Sequence, residues 1–338
     1  MLSRREWLRI AAGASASIVI KGCAPAESDA SASTVANGSA STAMDAGAVA
    51  QTGELITRAV PSSGEQLPVV GLGGANTYSE AAGEEDFETI GEVLSSLVEG
   101  GGTVFDTAAG YGASEEVSGR LAQELGIADQ MFWATKVNVA GRGGESADPG
   151  AAREQIERSF ERLRIPVIDL IQVHNMGDPP TQLGVLQELK EAERIRYMGI
   201  TTTNEGQYEA LAEVMRNFPI DFIGIDYAVD NRIAEETILP LAQDEGIGVV
   251  VYLPFGRSRM WQRIGDRPVP EWAAEFDASS WAQLMLKFVI AHPAVTVATP
   301  GTSDPEHMID NLAGGMGSLP TEEHLRRMVE LVESLPVA

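Results

Sequence analysis

The chain has 338 residues, with 49 acidic against 24 basic side chains and a formal net charge of -25 at pH 7. A surface of that sign repels nucleic acid and anionic lipid, which sets both aside as partners of the folded part. A single cysteine, Cys23, excludes an internal disulfide and a cysteine-held iron–sulfur cluster, and four scattered histidines (His174, His292, His307, His324) lack the H-x-x-x-H spacing of a zinc site, so no metal is expected.

The chain opens on Ser3-Arg4-Arg5-Glu6-Trp7-Leu8, and a moderately apolar run follows from 10 to 20. That run falls short of the ~20 residues that span a bilayer. Arg-Arg, apolar run and processing site in this order resemble a twin-arginine export signal, which implies the twin-arginine translocase as a partner and a periplasmic or envelope-anchored location. Two processing sites compete. Ile20-Lys21-Gly22-Cys23 resembles a lipobox and implies lipidation at Cys23, although Lys21 stands where a small or apolar residue is usual. Ala24-Pro25-Ala26 offers an A-x-A cleavage site instead. The lone cysteine, placed just after the apolar run, favours the lipid anchor, which would be the only membrane contact. Residues 24–53 are Ala, Ser, Gly and acids with almost no bulky side chains, a flexible linker by composition. The organisation read is therefore a signal peptide over 1–23, a linker over 24–53 and one folded domain over 54–338.

Residues 56–68, with Ser63-Gly64 in the middle, predict a β-hairpin. Eight short β-rich runs follow, at 69–71, 103–106, 131–136, 167–174, 196–201, 222–227, 248–253 and 295–299. Several are apolar almost throughout, as strands buried on both faces should be. Helical stretches alternate with them. Pro149–Leu163 has Asp148 at the N-cap, Pro149 at the first helical position, and Ile156, Phe160 and Leu163 on one face. Others cover 282–290, 304–311 (capped by Asp304) and 324–332. Strand then helix, eight times, predicts an α/β fold: a (β/α)8 TIM barrel behind an N-terminal hairpin, the domain typically needing ~250 residues. An open doubly wound sheet is the rival on pattern alone.

In such a barrel, chemistry collects at the C-terminal ends of the strands. The apolar runs do stop at polar residues there: Phe105 is followed by Asp106, Thr135 by Lys136, Val173 by His174. The segment Asp106-Thr107-Ala108-Ala109-Gly110-Tyr111-Gly112-Ala113-Ser114-Glu115 resembles the aldo-keto reductase signature D-T-A-x-x-Y-G-x-S-E. Ala134-Thr135-Lys136 and Val173-His174 match the two segments that complete that family's catalytic set. Arg196-Tyr197-Met198-Gly199-Ile200, Tyr252-Leu253-Pro254-Phe255-Gly256 and Pro300-Gly301-Thr302-Ser303, with Glu306, His307, Asp310 and Asn311, resemble its later strand ends in family order. The residue types also make chemical sense. Reducing a carbonyl takes a hydride at carbon and a proton at oxygen. A tyrosine hydroxyl, with a pKa of ~10, is a poor acid at neutral pH until a nearby cation stabilises the phenolate. Tyr111 is read as the proton donor, Lys136 as that cation, Asp106 as its partner, and His174 as the group that orients the carbonyl. Each has a plainer reading alone: Asp106 as a turn cap, Tyr111 as a packed aromatic, Lys136 as a surface charge, His174 as a core histidine. Their joint appearance at successive strand ends sets those aside.

Gly71-x-Gly73-Gly74 lacks the third glycine of a Rossmann fingerprint; as a barrel loop, Gly73 and Gly74 let substrate and nicotinamide approach the backbone. The resemblance implies that Tyr252 stacks on the nicotinamide, that Pro254, Phe255, Gly256 and Arg257 lie along the pyrophosphate, and that the helix opened by Asp304 receives the adenosine end, with Gly301, Thr302, Ser303, His307, Asp310 and Asn311 around it. There are departures. Members often carry Lys where Gly301 stands and Arg where His307 stands, both used on the 2′-phosphate of NADP. Thr201-Thr202 replaces a Ser-Asn pair that binds the carboxamide, and Gly224 replaces a frequent Gln. The cofactor is therefore NADP(H) or NAD(H). Residues 138–149 are Gly-rich and expected to be mobile. Trp261 and Trp272 in the stretch 254–278 are expected to wall the pocket, and Tyr78, with Tyr111 and His174, to touch substrate. The last predicted helix, 321–335, leaves no long C-terminal lid, which admits a bulky substrate. The function expected is reversible reduction of a small-molecule aldehyde or ketone. A dehydrogenase acting on a sugar or alcohol, and a slow-turnover cofactor-binding or sensory barrel of the envelope, are the alternatives. Nothing in the sequence sets an oligomeric state.

Overall fold

The computed structural model describes residues 53–336 apart from 76, 80–83 and 145; the segment read as a signal peptide and all but the last residue of the segment read as a linker lie outside the described residues. The predicted hairpin is there. β1 (Thr57–Ala59) pairs antiparallel with β2 (Gln66–Pro68). Eight parallel strands follow: β3 (Leu72–Gly73), β4 (Val104–Asp106), β5 (Phe132–Val137), β6 (Ile168–Val173), β7 (Ile195–Thr202), β8 (Phe222–Asp226), β9 (Gly248–Tyr252) and β10 (Val295–Ala298). They lie in sequence order in one sheet. The sheet closes on itself where Val70 bridges Ala298 in parallel, with Gly71 N–H donating to the Ala298 carbonyl and Ala298 N–H to that of Val69, both at 2.9 Å. This is a (β/α)8 barrel, and the doubly wound alternative is excluded by that closure. The first strand is displaced from the predicted 69–71 to Leu72–Gly73, because 69–71 meets β10 only at the single Val70 bridge.

Helices cover the outside: α1 (Glu84–Glu99), α2 (Ser114–Leu125), α3 (Pro149–Leu163), α4 (Pro179–Glu191), α5 (Tyr208–Asn217), α6 (Ile238–Glu245), α7 (Arg259–Ile264), α8 (Trp281–Ala291), α9 (Pro305–Ala313) and α10 (Glu322–Ser334). α3 has the predicted bounds. Asp148 accepts from Ala151 N–H at 2.7 Å, Pro149 opens the first turn, and Arg164 ends it in the left-handed region at φ 59°. α4 and α9 start the same way, on Asp178-Pro179 and Asp304-Pro305.

Alternation along the strands sorts side chains into two cores. Outward residues such as Phe105, Trp133, Ile171 and Val249 pack under the helices. Inward residues fill the barrel: Val104, Phe132, Leu170, Tyr197, Phe222, Val250 and Val297 form its lower layer. Val60 and Leu67 of the hairpin complete that layer, so the hairpin plugs the N-terminal end. Arg58 fixes it there by donating to the carbonyls of Ile290, His292 and Val295, and Glu65 accepts from Arg196 (2.5 Å) and the Tyr197 hydroxyl (2.6 Å). With the lower end filled, only the C-terminal end is left for a site. Among the described residues no helix is long and apolar enough to cross a membrane, and no group of three or more His, Cys, Asp or Glu is placed to hold a metal.

Candidate active site

The period-two alternation that puts Val104 inside also puts Asp106 inside, two residues on. The same step carries Phe132 and Ala134 to Lys136, Leu170 to Gln172, and Val250 to Tyr252. These four polar ends meet above the apolar layer. Lys136 Nζ donates to Asp106 Oδ2 at 2.5 Å and to the Thr107 carbonyl at 2.7 Å, and both side chains are buried. The Tyr252 hydroxyl donates to Asp106 Oδ1 (3.3 Å) and accepts from Gln172 Nε2 (2.9 Å). Burial raises the Asp106 carboxyl above its ordinary value, while the Lys136 charge and the hydrogen bonds from Lys136 and Tyr252 pull the other way. Burial, then the nearby Asp106, keeps the Tyr252 hydroxyl protonated far above neutral pH.

Tyr111 stands on the loop after β4, its ring 5.1 Å from Lys136 Nζ and its hydroxyl 3.4 Å from His174 Nε2. The two rings meet edge-on, centroids 5.4 Å apart. The second half of the motif holds this loop. Thr107 Oγ1 donates to Ser114 Oγ (2.8 Å), Ser114 Oγ to the Gly74 carbonyl (3.0 Å), and buried Glu115 accepts from Thr135 Oγ1 (2.7 Å) and pairs with Arg162 (3.3 Å). Burial, reinforced by the charges of Lys136 and Arg142, holds the His174 imidazole down to about 3, so it is neutral at physiological pH. The four predicted catalytic residues thus converge at one place.

Asp106, Tyr111 and His174 line a cleft of about 480 Å³ whose walls also include Thr201, Tyr252, Pro254, Phe255, Arg257, Gly73 and Gly301; Lys136 is buried behind it. The cleft has the makings of a dinucleotide site: a ring face at Tyr252, a cation at Arg257, and small residues where the strands β3 and β10 end. Gly224 is explained here. A Cβ at that position would lie 2.5 Å from the Tyr252 ring, so its absence makes room for the tyrosine that the cofactor ring would face.

Other predicted contacts fall elsewhere. Tyr78 is fully buried, its ring edge-on to Phe105 and its hydroxyl donating to the Ile90 carbonyl, so it belongs to the core and cannot touch substrate. Gly74 packs against Phe105 and Ser114 rather than lining the cleft. Thr202 points outward from β7, where its hydroxyl donates to Gln207 Oε1 at 2.6 Å; only Thr201 faces in, and Thr203 joins it on the cleft wall. Asp310 is taken up by Ser280 and Gln283 (both 2.6 Å) and Asn311 is buried; neither lines the cleft. Gly256, at φ 59°, shapes the loop without lining the cleft. The N-terminus of α9 is partly closed by its own cap, since Asp304 accepts from Glu306 N–H (2.8 Å), and the Thr302 hydroxyl accepts from Asp304 N–H (3.1 Å). Ser303 is exposed, and His307, exposed too, lies 3.9 Å from Asp304. Trp272 does not wall the pocket. It packs on Phe276 and under Arg327, 4.4 Å from the ring, tying its segment to α10. Trp261 leans on Phe255, which does line the cleft.

Gln172 and Arg142 are among the polar residues of the site that went unread in the sequence. Gln172 is signalled by the same alternation that marks Leu170, two residues earlier. Arg142 also lines the cleft, and nothing in a Gly-rich loop gives its direction.

Residues 69–331 match the sequence model of the Aldo/keto reductase family. Aldo-keto reductase str7 of Strobilurus tenacellus is 26% identical over 284 residues, 74% of this chain and 82% of that protein. Aldo-keto reductase YhdN of Bacillus subtilis is 30% identical over 202 residues, 57% of this chain and 60% of its own length. Among solved structures, an aldo-keto reductase from Klebsiella pneumoniae in complex with NADPH shares the fold, with a TM-score of 0.67, 23% identity, and cover of 82% of this chain and 96% of that one.

Proposed function

The chain belongs to the Aldo/keto reductase family, and from that premise we propose that it reduces an aldehyde or ketone to the alcohol, reversibly, with a nicotinamide cofactor. The carrying observation is Tyr111, set in the cleft between the neutral imidazole of His174 and the buried ammonium of Lys136. The cofactor, when bound, supplies a hydride to the carbonyl carbon. Tyr111 gives its hydroxyl proton to the carbonyl oxygen, and the Lys136 charge stabilises the phenolate left behind. Asp106 fixes the ammonium in place. The neutral His174 holds the carbonyl oxygen by a hydrogen bond without adding a second charge. In the reverse direction the phenolate takes the proton from the alcohol.

For the cofactor, Tyr252 would face the nicotinamide ring, Thr201 its carboxamide, Arg257 the pyrophosphate, and Gly301 and Thr302 the adenosine end. We infer a preference for NADH. From 299 to 313 there is no Lys or Arg, while Asp304 and Glu306 place two carboxylates at the start of α9; a 2′-phosphate dianion would meet repulsion there. The deciding assay follows NADH and NADPH oxidation over a panel of aldehydes, ketones and ketoses. Turnover is expected with several carbonyls, with kcat/KM at least tenfold higher for NADH. No oxidation of either cofactor would refute the reductase reading, and an NADPH preference would refute the cofactor reading alone.

We further propose that the chain is exported by the twin-arginine translocase and held in the envelope by a lipid on Cys23, followed by a linker over 24–53 and the barrel domain over 54–338. Arg4-Arg5, the short apolar run and the lone cysteine support this order. The intact mass of protein extracted from membranes should equal a chain beginning at a lipid-bearing Cys23; an unmodified start at Glu27 would rule the anchor out.

A further inference from the structure

The loop after β5 carries an arginine into the mouth of the site. Arg142 sits between Gly141 (φ 81°) and Gly143 (φ 63°), two left-handed positions that suit glycine and fold the chain into a tight turn. That turn is clamped to the segment bearing the catalytic histidine. Asn138 Nδ2 donates to the carbonyls of Gly141 (2.9 Å) and of His174 itself (2.6 Å). Gly143 N–H donates to the Asn175 carbonyl (2.9 Å), and Asp178 N–H to that of Gly144 (2.7 Å). The expected mobile loop is thus tied, on both sides of Arg142, to the backbone around His174.

The side chain is exposed and lines the same cleft as Tyr111 and His174. Its charge reaches His174, where it adds to the effect of Lys136. The chain has 49 acids for 24 bases, and among the described residues most arginines are paired, such as Arg196 with Glu65 and Asp169, Arg257 with Asp226, and Arg259 with Asp230. Arg142 has no ion pair or hydrogen bond from its side chain among the described residues. An unpaired cation on a clamped turn, lining the same cleft as the proton donor in a strongly acidic protein, is a receptor for an anion. Its planar fork of N–H donors matches a carboxylate in particular.

We propose that Arg142 is a specificity-determining residue and that the substrate class is a carbonyl compound bearing a carboxylate, bound with the carboxylate on Arg142 and the carbonyl at Tyr111 and His174. This rests on the reductase reading above. Its test uses the purified chain with NADH or NADPH and two matched pairs of substrates: 4-oxobutanoate against butanal, and 4-carboxybenzaldehyde against benzaldehyde. In at least one pair, kcat/KM should favour the carboxylate by tenfold or more, and that advantage should shrink with rising salt. Arg142→Ala should reduce the ratio within that pair by roughly 10- to 100-fold, mostly through KM, as loss of a charge-assisted hydrogen bond does. Arg142→Lys should restore part of it and Arg142→Glu should invert it. A parent enzyme indifferent to the carboxylate in both pairs, or an Arg142→Ala variant that loses equally on both members, would overturn the proposal while the neutral aldehydes still turn over. No turnover of any of the four would instead bring down the reductase reading beneath it.

Discussion

Replacing Tyr111 by Phe is expected to lower kcat about a thousandfold, within the range a positioned general acid contributes. The substitution removes one oxygen whose sole side-chain hydrogen bond among the described residues is the long one to His174, at 3.4 Å. The ring keeps its edge-on contact with the imidazole, so the melting temperature should move by less than a degree or two. NADH binding, followed by quenching of protein fluorescence, should hold within about twofold, because the hydroxyl supplies the proton and not the grip on the cofactor. A loss of less than tenfold in kcat would place the proton donor elsewhere. Tyr252 is a poor substitute, since its hydroxyl is engaged by Asp106 and Gln172 and burial keeps its proton on.

Lys136→Met should strike both activity and stability. The Lys136 side chain is 1% exposed and that of Asp106 4%, and each is the other's charge partner. Removing one member of a buried pair costs about 3–5 kcal/mol, because the remaining charge is left without compensation. A drop in melting temperature of roughly 5–10 °C follows for a domain of this size. The loss has a pH signature. Without the ammonium, nothing opposes the effect of burial on Asp106 except the Tyr252 hydroxyl, so its folded value rises further above the unfolded one. A group raised in this way stabilises the fold below its unfolded pKa and loses that contribution as pH climbs through the folded one. Lys136→Met should therefore lose more stability at pH 8 than at pH 5. The double variant with Asp106→Asn should recover most of the stability and none of the activity. Equal stability losses at both pH values would mean that the carboxylate is not the source of the cost.

Much of this site is legible in one dimension. Asp106, Lys136 and His174 each close an apolar strand, and a closed parallel barrel has to gather strand ends on one face. The same logic marks the interior layer from Val104 to Val297. Errors arise where direction is set by something other than strand alternation. Tyr78 lies in the loop after β3, where nothing local distinguishes a residue facing the cleft from one pressed onto Phe105. Thr201 and Thr202 are chemically alike, and the register of β7 against β8, Thr201 with Gly224, turns the first inward and the second out. Asp310 reads as a ligand of the adenosine end until α8 supplies Ser280 and Gln283 to occupy it.

The sequence by itself determined the alternation of strand and helix, the interior layer and the strand-end positions of Asp106, Lys136 and His174, because short-range periodicity dictates what faces in and what lies at a strand end. Tyr111, on a loop, was marked by the resemblance of 106–115 to the family signature, and closure of the sheet at Val70 and Ala298 decided for the barrel. The tertiary structure alone decided the surroundings of that set. Pairing of β8 with β9 brings Gly224 under the Tyr252 ring, and barrel closure brings Tyr252 in turn onto Asp106 of β4, 146 residues away. Hydrogen bonds from Asn138 and Gly143 to the backbone at His174 and Asn175 aim Arg142 at the cleft. Those arrangements come from contacts between segments far apart in the chain, and no local pattern encodes them.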